Sequence, residues 1–579
     1  MHRFAVWAPD ASGVDLVLTD AAAGDRRLPM APTGDGSFAL DVPEAGHGTD
    51  YAFSLDGGRP LPDPRSAWQP AGVHGASRVF DPSRYTWGDG GWQGLDVLGR
   101  LFYELHVGTF TPQGTLHAAV ERLDHLVDLG VDVVEIMPVA AFDGRWGWGY
   151  DGVDLYAVHE PYGGPEALQR FVDACHARGL AVCLDVVYNH LGPSGNYLAS
   201  FGPYFTAKHD TPWGDAVNLD DTGSEHVRRW IVDNALRWFE DFHIDALRLD
   251  AVHALVDDSP RHLLAQLSDE TAALAARLGR PLSLVAESDL NDPRMVEPTS
   301  DGGLGMTAQW SDDFHHALHS TLTGERQGYY VDFEGVDVIA RTLTQVFRHA
   351  GDFSAFRGKD WGKPVDPGRD RGSRFLGYLQ DHDQVGNRAI GDRISAIVSP
   401  GRQAAGAALY LTSPFTPMVF MGEEWAASTP WQFFTDFPDP DLGAAVRNGR
   451  RSEFAGHGWD AEDVPDPQDP ATRDASVLDW AEPGKDPHAR MLGWYRDLVA
   501  LRRAEPDLQD DDLRRVRVEV GPDRLVVHRG AFRVLVNLGA EAAEFEVPAD
   551  AEVRLAWSEP ERTATGLRLS PDDVAVVRV

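Results

Sequence analysis

Cysteine is almost missing from this chain: its 579 residues contain only Cys175 and Cys183. One falls in a helical pattern and the other in the apolar run that follows it. Two thiols cannot build the disulfide framework of a small secreted domain, so apolar packing must hold the fold, and both are expected reduced and buried. Lysine is as scarce, occurring only as Lys208, Lys359, Lys363 and Lys485, which we read as coding bias rather than chemistry. Positive charge as a whole is short. Lys and Arg number 52 against 90 Asp and Glu, a formal charge of −38. That balance argues against nucleic acid and anionic membranes as partners. No apolar stretch reaches the length of a membrane span, and no continuous apolar segment follows Met1, so neither a transmembrane helix nor a signal peptide is expected. Internal repeats and low-complexity tracts are missing too. The expectation is a soluble, cytoplasmic protein.

What is present is patterning. With 43% hydrophobic and 25% charged residues, the chain can bury a large core. Residues 1–95 alternate short apolar runs (Phe4–Trp7, Val14–Leu18, Ser37–Val42, Tyr51–Leu55) with Gly, Pro and Asp about every ten residues, which predicts an N-terminal β-sandwich. From about residue 96 to 510 the rhythm becomes strand, helix, strand. Strands are predicted at 101–107, 131–137, 180–188, 244–249, 282–287, 375–379 and 417–421. Between them helical spacing runs through Leu116–Val127, from Pro165 to Gly179, from Ser224, from the pair Ser259-Pro260, over 335–350 and 402–412, and finally Met491–Leu501. Alternation of this kind means parallel strands with crossover helices, and about eight units mean a (β/α)8 TIM barrel with inserted loops. Residues 462–486, rich in Pro and Asp, read as a surface loop. Residues 511–579 alternate like strands again (Val516–Val520, Leu525–His528, Phe532–Val536) and predict a small C-terminal antiparallel β domain.

Ile244–His253 organises the chain. It reads as a buried strand, yet carries Arg248, Asp250 and His253 at its end. Period-2 geometry puts Arg248 and Asp250 on one face, where the arginine keeps the carboxylate ionised and oriented, as a carboxylate nucleophile requires. A structural ion pair at a strand end reads equally well from this stretch alone. The pattern recurs, however. Asp185–His190, Ala286-Glu287-Ser288 and Asp381-His382-Asp383 also end strands. A barrel gathers such ends at one mouth, where the active site lies. Three carboxylates there suit glycoside hydrolysis. Asp250 is the candidate nucleophile. Glu287, in an apolar run with no basic neighbour in sequence, is the candidate acid, its pKa expected to rise by desolvation. His190 and His382 could donate to sugar hydroxyls or could be satisfied core residues.

These four segments, in this order, resemble the α-amylase family of retaining glycosidases and transglycosidases. The resemblance implies Asp250 as nucleophile, Glu287 as acid/base and Asp383 as transition-state stabiliser. Arg248, His190 and His382 would line the site of the attacked sugar, with Tyr150 stacking on it. Trp148–Tyr156, Asp245–His253, Ala286–Asp292, Gln309–His316 and His382–Asn387 resemble the trehalose-releasing branch of that family, which implies maltooligosyl trehalose and related α-1,4-glucans as substrates. One position departs from the pattern: Asp381 stands where the family carries asparagine, and an extra carboxylate is expected to disturb local protonation. No cofactor is implied. The insertion at 191–223 is short and has no dense cluster of oxygen ligands, so no catalytic metal is expected. His253 at the strand end, and Trp213, Tyr329, Phe356 and Arg357 in long loops, are further candidates for substrate contact. A branching transglycosidase and an inactive glycan-binding barrel are the competing readings.

Overall fold

The computed structural model describes residues 1–19, 24–455 and 463–579. Eight parallel strands close the central barrel in chain order: β1 (Phe102–Leu105), β2 (Val133–Ile136), β3 (Ala181–Val186), β4 (Ala246–Leu249), β5 (Ser283–Ala286), β6 (Ala308–Trp310), β7 (Phe375–Tyr378) and β8 (Thr416–Phe420). Phe102 pairs with both Val133 and Met418, which shuts the ring and leaves no sheet edge.

The inward faces explain where the chemistry sits. Phe102, Val133, Cys183, Ala246, Val285, Leu376 and Met418 pack together as the barrel floor. Two residues further along the first five of these strands come Glu104, Glu135, Asp185, Arg248 and Glu287, while Tyr378 and Phe420 take that place on the other two. A strand returns to the same face every second residue, so an apolar floor is followed at once by a ring of charged groups at the carboxyl ends.

Helices cover the outside: Leu116–Val120 and Leu123–Leu129 after β1, Gly164–His176 after β2, Ser224–Asp241 after β3 and Leu263–Leu278 after β4. Asp312–Thr323 and Val336–Gln345 follow β6, Pro400–Leu411 follows β7 and His488–Ala504 follows β8. Four details correct the sequence reading. β6 was not anticipated, being only three residues long and preceded by Gly302, Gly303 and Gly305. The β5–β6 crossover has no α-helix, only short turns at Pro293–Met295 and Thr299–Asp301, because two prolines and three glycines interrupt it. The helix expected from Ser259-Pro260 begins at Leu263, where the His262 ring accepts from the Leu264 N–H; the Ser259 hydroxyl bonds Asp257 instead. The helical run from Leu116 breaks in two at Glu121-Arg122. In 462–486, residue 462 lies outside the described residues, and the remainder holds a short helix at Pro470–Ala475.

At the N-terminus, His2–Trp7, Ser37–Val42 and Ala31–Pro32 form one sheet. Arg26–Pro29, Val14–Thr19, Asp50–Leu55, Pro60–Leu61 and Ser77–Arg78 form the other. This sandwich docks on Ser224–Asp241: Trp7 stacks on His226 at 4.6 Å, and the Trp230 indole N–H donates to the Pro64 carbonyl at 2.9 Å. At the C-terminus, five antiparallel strands (Val516–Gly521, Arg524–Arg529, Phe532–Asn537, Asp573–Arg578, Glu552–Ala556) face a three-stranded sheet. Cys175 and Cys183 are both free and buried. Among the described residues, no helix is long and apolar enough to cross a membrane.

Arg502 ties the last barrel helix to the turn that enters β8, and it is buried. Its guanidinium donates to the carbonyls of Leu411 (3.0 Å), Ser413 (2.8 Å) and Phe415 (2.9 Å). Each buried carbonyl left without a donor costs about 1–3 kcal/mol. Arg502→Met, which keeps the apolar stem, should therefore destabilise the protein by about 3 kcal/mol or more. The urea midpoint should fall with the slope unchanged; a midpoint equal to wild type would mean that water satisfies those carbonyls.

Candidate active site

Arg248 sits on β4 with 1% of its surface exposed and reaches three carboxylates at once. Its Nη1 donates to Asp185 Oδ2 and to Asp250 Oδ1, both at 2.9 Å, while Nη2 lies 2.9 Å from Glu287 Oε2. The guanidinium also lies over the Trp310 ring, 4.4 Å from its centroid. The Arg248–Asp250 pair expected from two-residue spacing is thus present, but it is one arm of a wider fork. Glu287 corrects the sequence reading. It has no basic neighbour in sequence, yet in space it faces Arg248 and accepts the Ala251 N–H at 2.7 Å, so its surroundings are polar.

A second chain of contacts crosses the mouth. The Tyr150 hydroxyl donates to Asp185 Oδ2 at 2.6 Å and meets His382 Nε2 at 2.8 Å, and its ring stacks on the His382 imidazole at 5.1 Å. Glu104 holds His382 from the other side, with Oε1 2.5 Å from Nδ1 and Oε2 accepting the His382 N–H at 3.0 Å. Burial opposes charge on this imidazole, but Glu104 and the acids beside it raise its pKa to about 10. Burial likewise lifts Asp185, against the pull of Arg248, to about 7. Asp383 is pushed up by burial while His382 pulls it back, and its Oδ1 accepts from Asn387 at 2.8 Å.

The remaining candidates divide into two rims. On one, His190 Nε2 lies 2.9 Å from the Tyr150 carbonyl, and Trp213, 48% exposed at the tip of the hairpin Phe205–Thr211/Gly214–Val217, stacks flat on the His190 ring at 4.8 Å. On the other, Tyr329 stacks on His316 at 4.7 Å and meets Phe356 edge-on, Phe356 being 52% exposed. Arg357 bonds Asp289 at 3.0 Å, two residues after Glu287, and covers Trp361. His253 is half-buried in the turn after Asp250, and its Nδ1 has no hydrogen-bond partner. Asp381 faces its own helix: Oδ1 accepts the Asp383 and Gln384 N–H groups at 2.9 and 3.0 Å.

Sequence reasoning placed Asp185 at the mouth but gave it no role, and it missed Glu104. Both left a signal, a charged residue inside an apolar strand. It also missed the wall behind His382, where Trp148 stacks on Trp431 and Trp431 donates to the His382 carbonyl at 2.8 Å. Gly386 closes that wall; a Cβ there would lie 1.9 Å from the Trp148 ring, so no other residue fits. Among the described residues, the His/Cys/Asp/Glu group able to hold a metal is His209, Asp220 and Asp258. The Lys208 ammonium lies 2.8 Å from Asp220 and 3.9 Å from Asp258, so a cation already occupies that charge.

Comparison with known proteins matches residues 80–209 to the alpha amylase catalytic domain. Residues 1–68 match carbohydrate-binding module 48 (isoamylase N-terminal domain), and 512–576 match a domain of unknown function. The malto-oligosyltrehalose trehalohydrolase of Arthrobacter ramosus is 53% identical over 580 residues, covering 100% of both chains. A 1,4-alpha-glucan branching enzyme of Vibrio parahaemolyticus is 34% identical over 358 residues, 54% of this chain and 46% of its own. The crystal structure of a putative alpha amylase from Salmonella typhimurium superposes with a TM-score of 0.90 at 38% identity, covering 100% of this chain and 97% of that one. The four polar strand ends, the closed barrel and an end-to-end match on both flanking domains thus converge, and this chain belongs to the malto-oligosyltrehalose trehalohydrolase family.

Proposed function

We propose that the protein is a retaining glycoside hydrolase that cuts the α-1,4 bond next to the terminal trehalose of maltooligosyl trehalose and releases free trehalose. The observation that carries this reading is the Arg248 fork, which places Asp250 and Glu287 on the two terminal nitrogens of one guanidinium. A retaining pair stands about 5–5.5 Å apart, and a single planar fork spans such a gap. Asp250 attacks the anomeric carbon as the bond to the glycosidic oxygen breaks, and Glu287 gives that oxygen its proton. The trehalose unit leaves. Glu287 then takes a proton from water, the hydroxide displaces Asp250, and the new hydroxyl ends on the original α face. Asp383 stabilises the positive charge that develops on the ring, with Arg248, His190, His253, His382 and Tyr150 around that sugar.

Product identity depends on the leaving side, beyond Glu287. Tyr329, Phe356 and Arg357 stand there, aromatic faces beside a guanidinium that can bond sugar hydroxyls, while Trp213 offers a stacking face on the opposite rim. Residues 96–510 carry the chemistry in this reading, and 1–95 and 511–579 are separate β units. The protein works in the cytoplasm, where unpaired Cys175 and Cys183 stay reduced.

Asp381 fits the same machinery without taking part in it. Burial, reinforced by Glu104, pushes its carboxyl well above the ordinary range. That shift favours the neutral acid, whose oxygen caps the helix as an asparagine oxygen would. The extra carboxylate is thereby disarmed.

Asp250→Asn and Glu287→Gln should each lower turnover by about 10²–10⁴ or more while substrate still binds, since they remove attack and proton transfer with little change in volume. Either variant keeping a tenth of wild-type kcat would remove that residue from its role. Asp381→Asn should keep the product unchanged. Because the folded carboxyl has a raised pKa, its contribution is complete below about pH 4 and is lost as pH rises. The thermal midpoint of the variant should therefore gain on wild type as pH rises above 4; a constant difference would mean that the carboxyl is ionised throughout.

Maltooligosyl trehalose should yield trehalose and a maltooligosaccharide released first as the α anomer. Plain maltooligosaccharides of equal length should react with far lower kcat/KM, because a site built to bond a 1,1-linked pair leaves polar groups unpaired with a 1,4-linked end. NMR in the first seconds reads the anomer, and free trehalose, reducing ends and α-1,6 branch points identify the reaction. Equal efficiency on both substrates would leave a general amylase, new branch points a transglycosidase, and a β product an inverting mechanism.

A further inference from the structure

Glu104 lies at the carboxyl end of β1 with no exposure to solvent, on a strand that holds none of the groups assigned to the reaction. A lone buried carboxylate in a barrel core is costly unless it is paired. Both of its oxygens go to one residue, His382: Oε1 to the ring Nδ1 and Oε2 to the backbone N–H. This double grip fixes the imidazole plane and leaves Nε2 as the one free ring nitrogen, which points at the Tyr150 hydroxyl, itself bonded to Asp185 on the Arg248 fork. A continuous path of hydrogen bonds thus runs from β1 to Asp250.

We propose that Glu104 is a positioning residue: its carboxylate clamps His382 by ring and backbone, aims Nε2 across the mouth, and supplies the counter-charge for a second fixed cation beneath the attacked sugar. The inference rests on the reading that His382 and Asp383 line that sugar's site.

The need for a second cation follows from the groups that face His382. Asp381 and Asp383 flank it on its own loop, Asp185 approaches through Tyr150, and Glu135 stands in register with Glu104 on β2. The His106 imidazole also interacts with His382, but burial drives its pKa down to about 3, so it carries no charge. Trp148, Trp310 and Trp431 close the remaining sides with rings. Arg248 alone cannot balance this many acids. A charged His382 lowers the cost of ionising Asp383 and Asp185, on both of which it acts. It also gives Nε2 a permanent proton, so His382 donates to Tyr150 and the Tyr150 proton goes to Asp185. Glu104 therefore acts on the reaction through His382, without touching substrate.

The protein without substrate tests this directly. In ¹³C-histidine-labelled protein, the His382 resonance, assigned by its loss in His382→Gln, should not titrate between pH 5.5 and 8.5. In Glu104→Gln its midpoint should enter that window. In turnover, Glu104→Gln should acquire a basic limb, with kcat about tenfold or more lower at pH 8.5 than at pH 6 and KM changed far less. Glu104→Asp, which restores the charge, should move that limb back towards wild type. Titration of wild-type His382 near pH 6.5 would overturn the proposal, as would a fall in kcat by one factor at every pH. The wild-type titration decides even if the glutamine variant does not fold. A wild-type protein inactive on maltooligosyl trehalose would instead overturn the hydrolase reading and leave the titration result standing.

Discussion

Arg248 is the interaction on which the mouth of the barrel depends. Buried cations are costly, and this one is tolerated because three carboxylates and an aromatic face surround it. Removing it would leave Asp185, Asp250 and Glu287 facing one another in a poorly hydrated space. Breaking a buried pair costs about 3–5 kcal/mol, and here one side chain serves three partners. The same fork that holds the strand ends together therefore fixes Asp250 relative to Glu287. Stability and geometry are one constraint.

The charge around that fork is deliberately uneven. Burial raises Asp185 to about 7 and pushes Asp381 and Asp383 upward, while Glu104 keeps His382 protonated. Arg248 pulls Asp185 back and His382 pulls Asp383 back, whereas for Asp381 and Glu135 burial and the neighbouring Glu104 outweigh the same two cations. Residues that look alike in sequence thus differ by how far burial and neighbouring acids outweigh the cation they face.

Much of this was legible in the sequence, for identifiable reasons. Parallel buried strands are continuous apolar runs, so seven of them stood out, and the polar residues ending them marked the mouth. The Arg248–Asp250 pair followed from two-residue periodicity alone. What escaped was set by distance in the chain. Arg248 meets Glu287 across 39 positions, and Glu104 meets His382 across 278. Neither spacing carries a pattern, because closure of the barrel brings them together. β6 escaped because three residues are too few to show a period, and the helix start at Leu263 escaped because Ser259 bonds to Asp257, a local alternative that serine favours.

The missing helix between β5 and β6 gives the barrel its asymmetry. A helix there would cover the outside of the barrel beside Glu287. Instead the segment stays in short turns, and the space beyond β5 is built by later parts of the chain: the turn Gly328–Asp332 with Tyr329, and the hairpin Asp352–Ser354/Lys359–Trp361 with Phe356 at its bend. Arg357 joins that hairpin to Asp289, and the Trp361 indole donates to the Asp289 carbonyl at 2.7 Å, so the wall is fastened to the strand that carries Glu287. A loop fastened in this way keeps an aromatic surface exposed without letting it wander. The opposite rim, where Trp213 rests on His190, has a different origin, the hairpin inserted after β3. The two rims are thus built on separate insertions, neither of which is part of the strands that carry Asp185, Arg248 and Glu104.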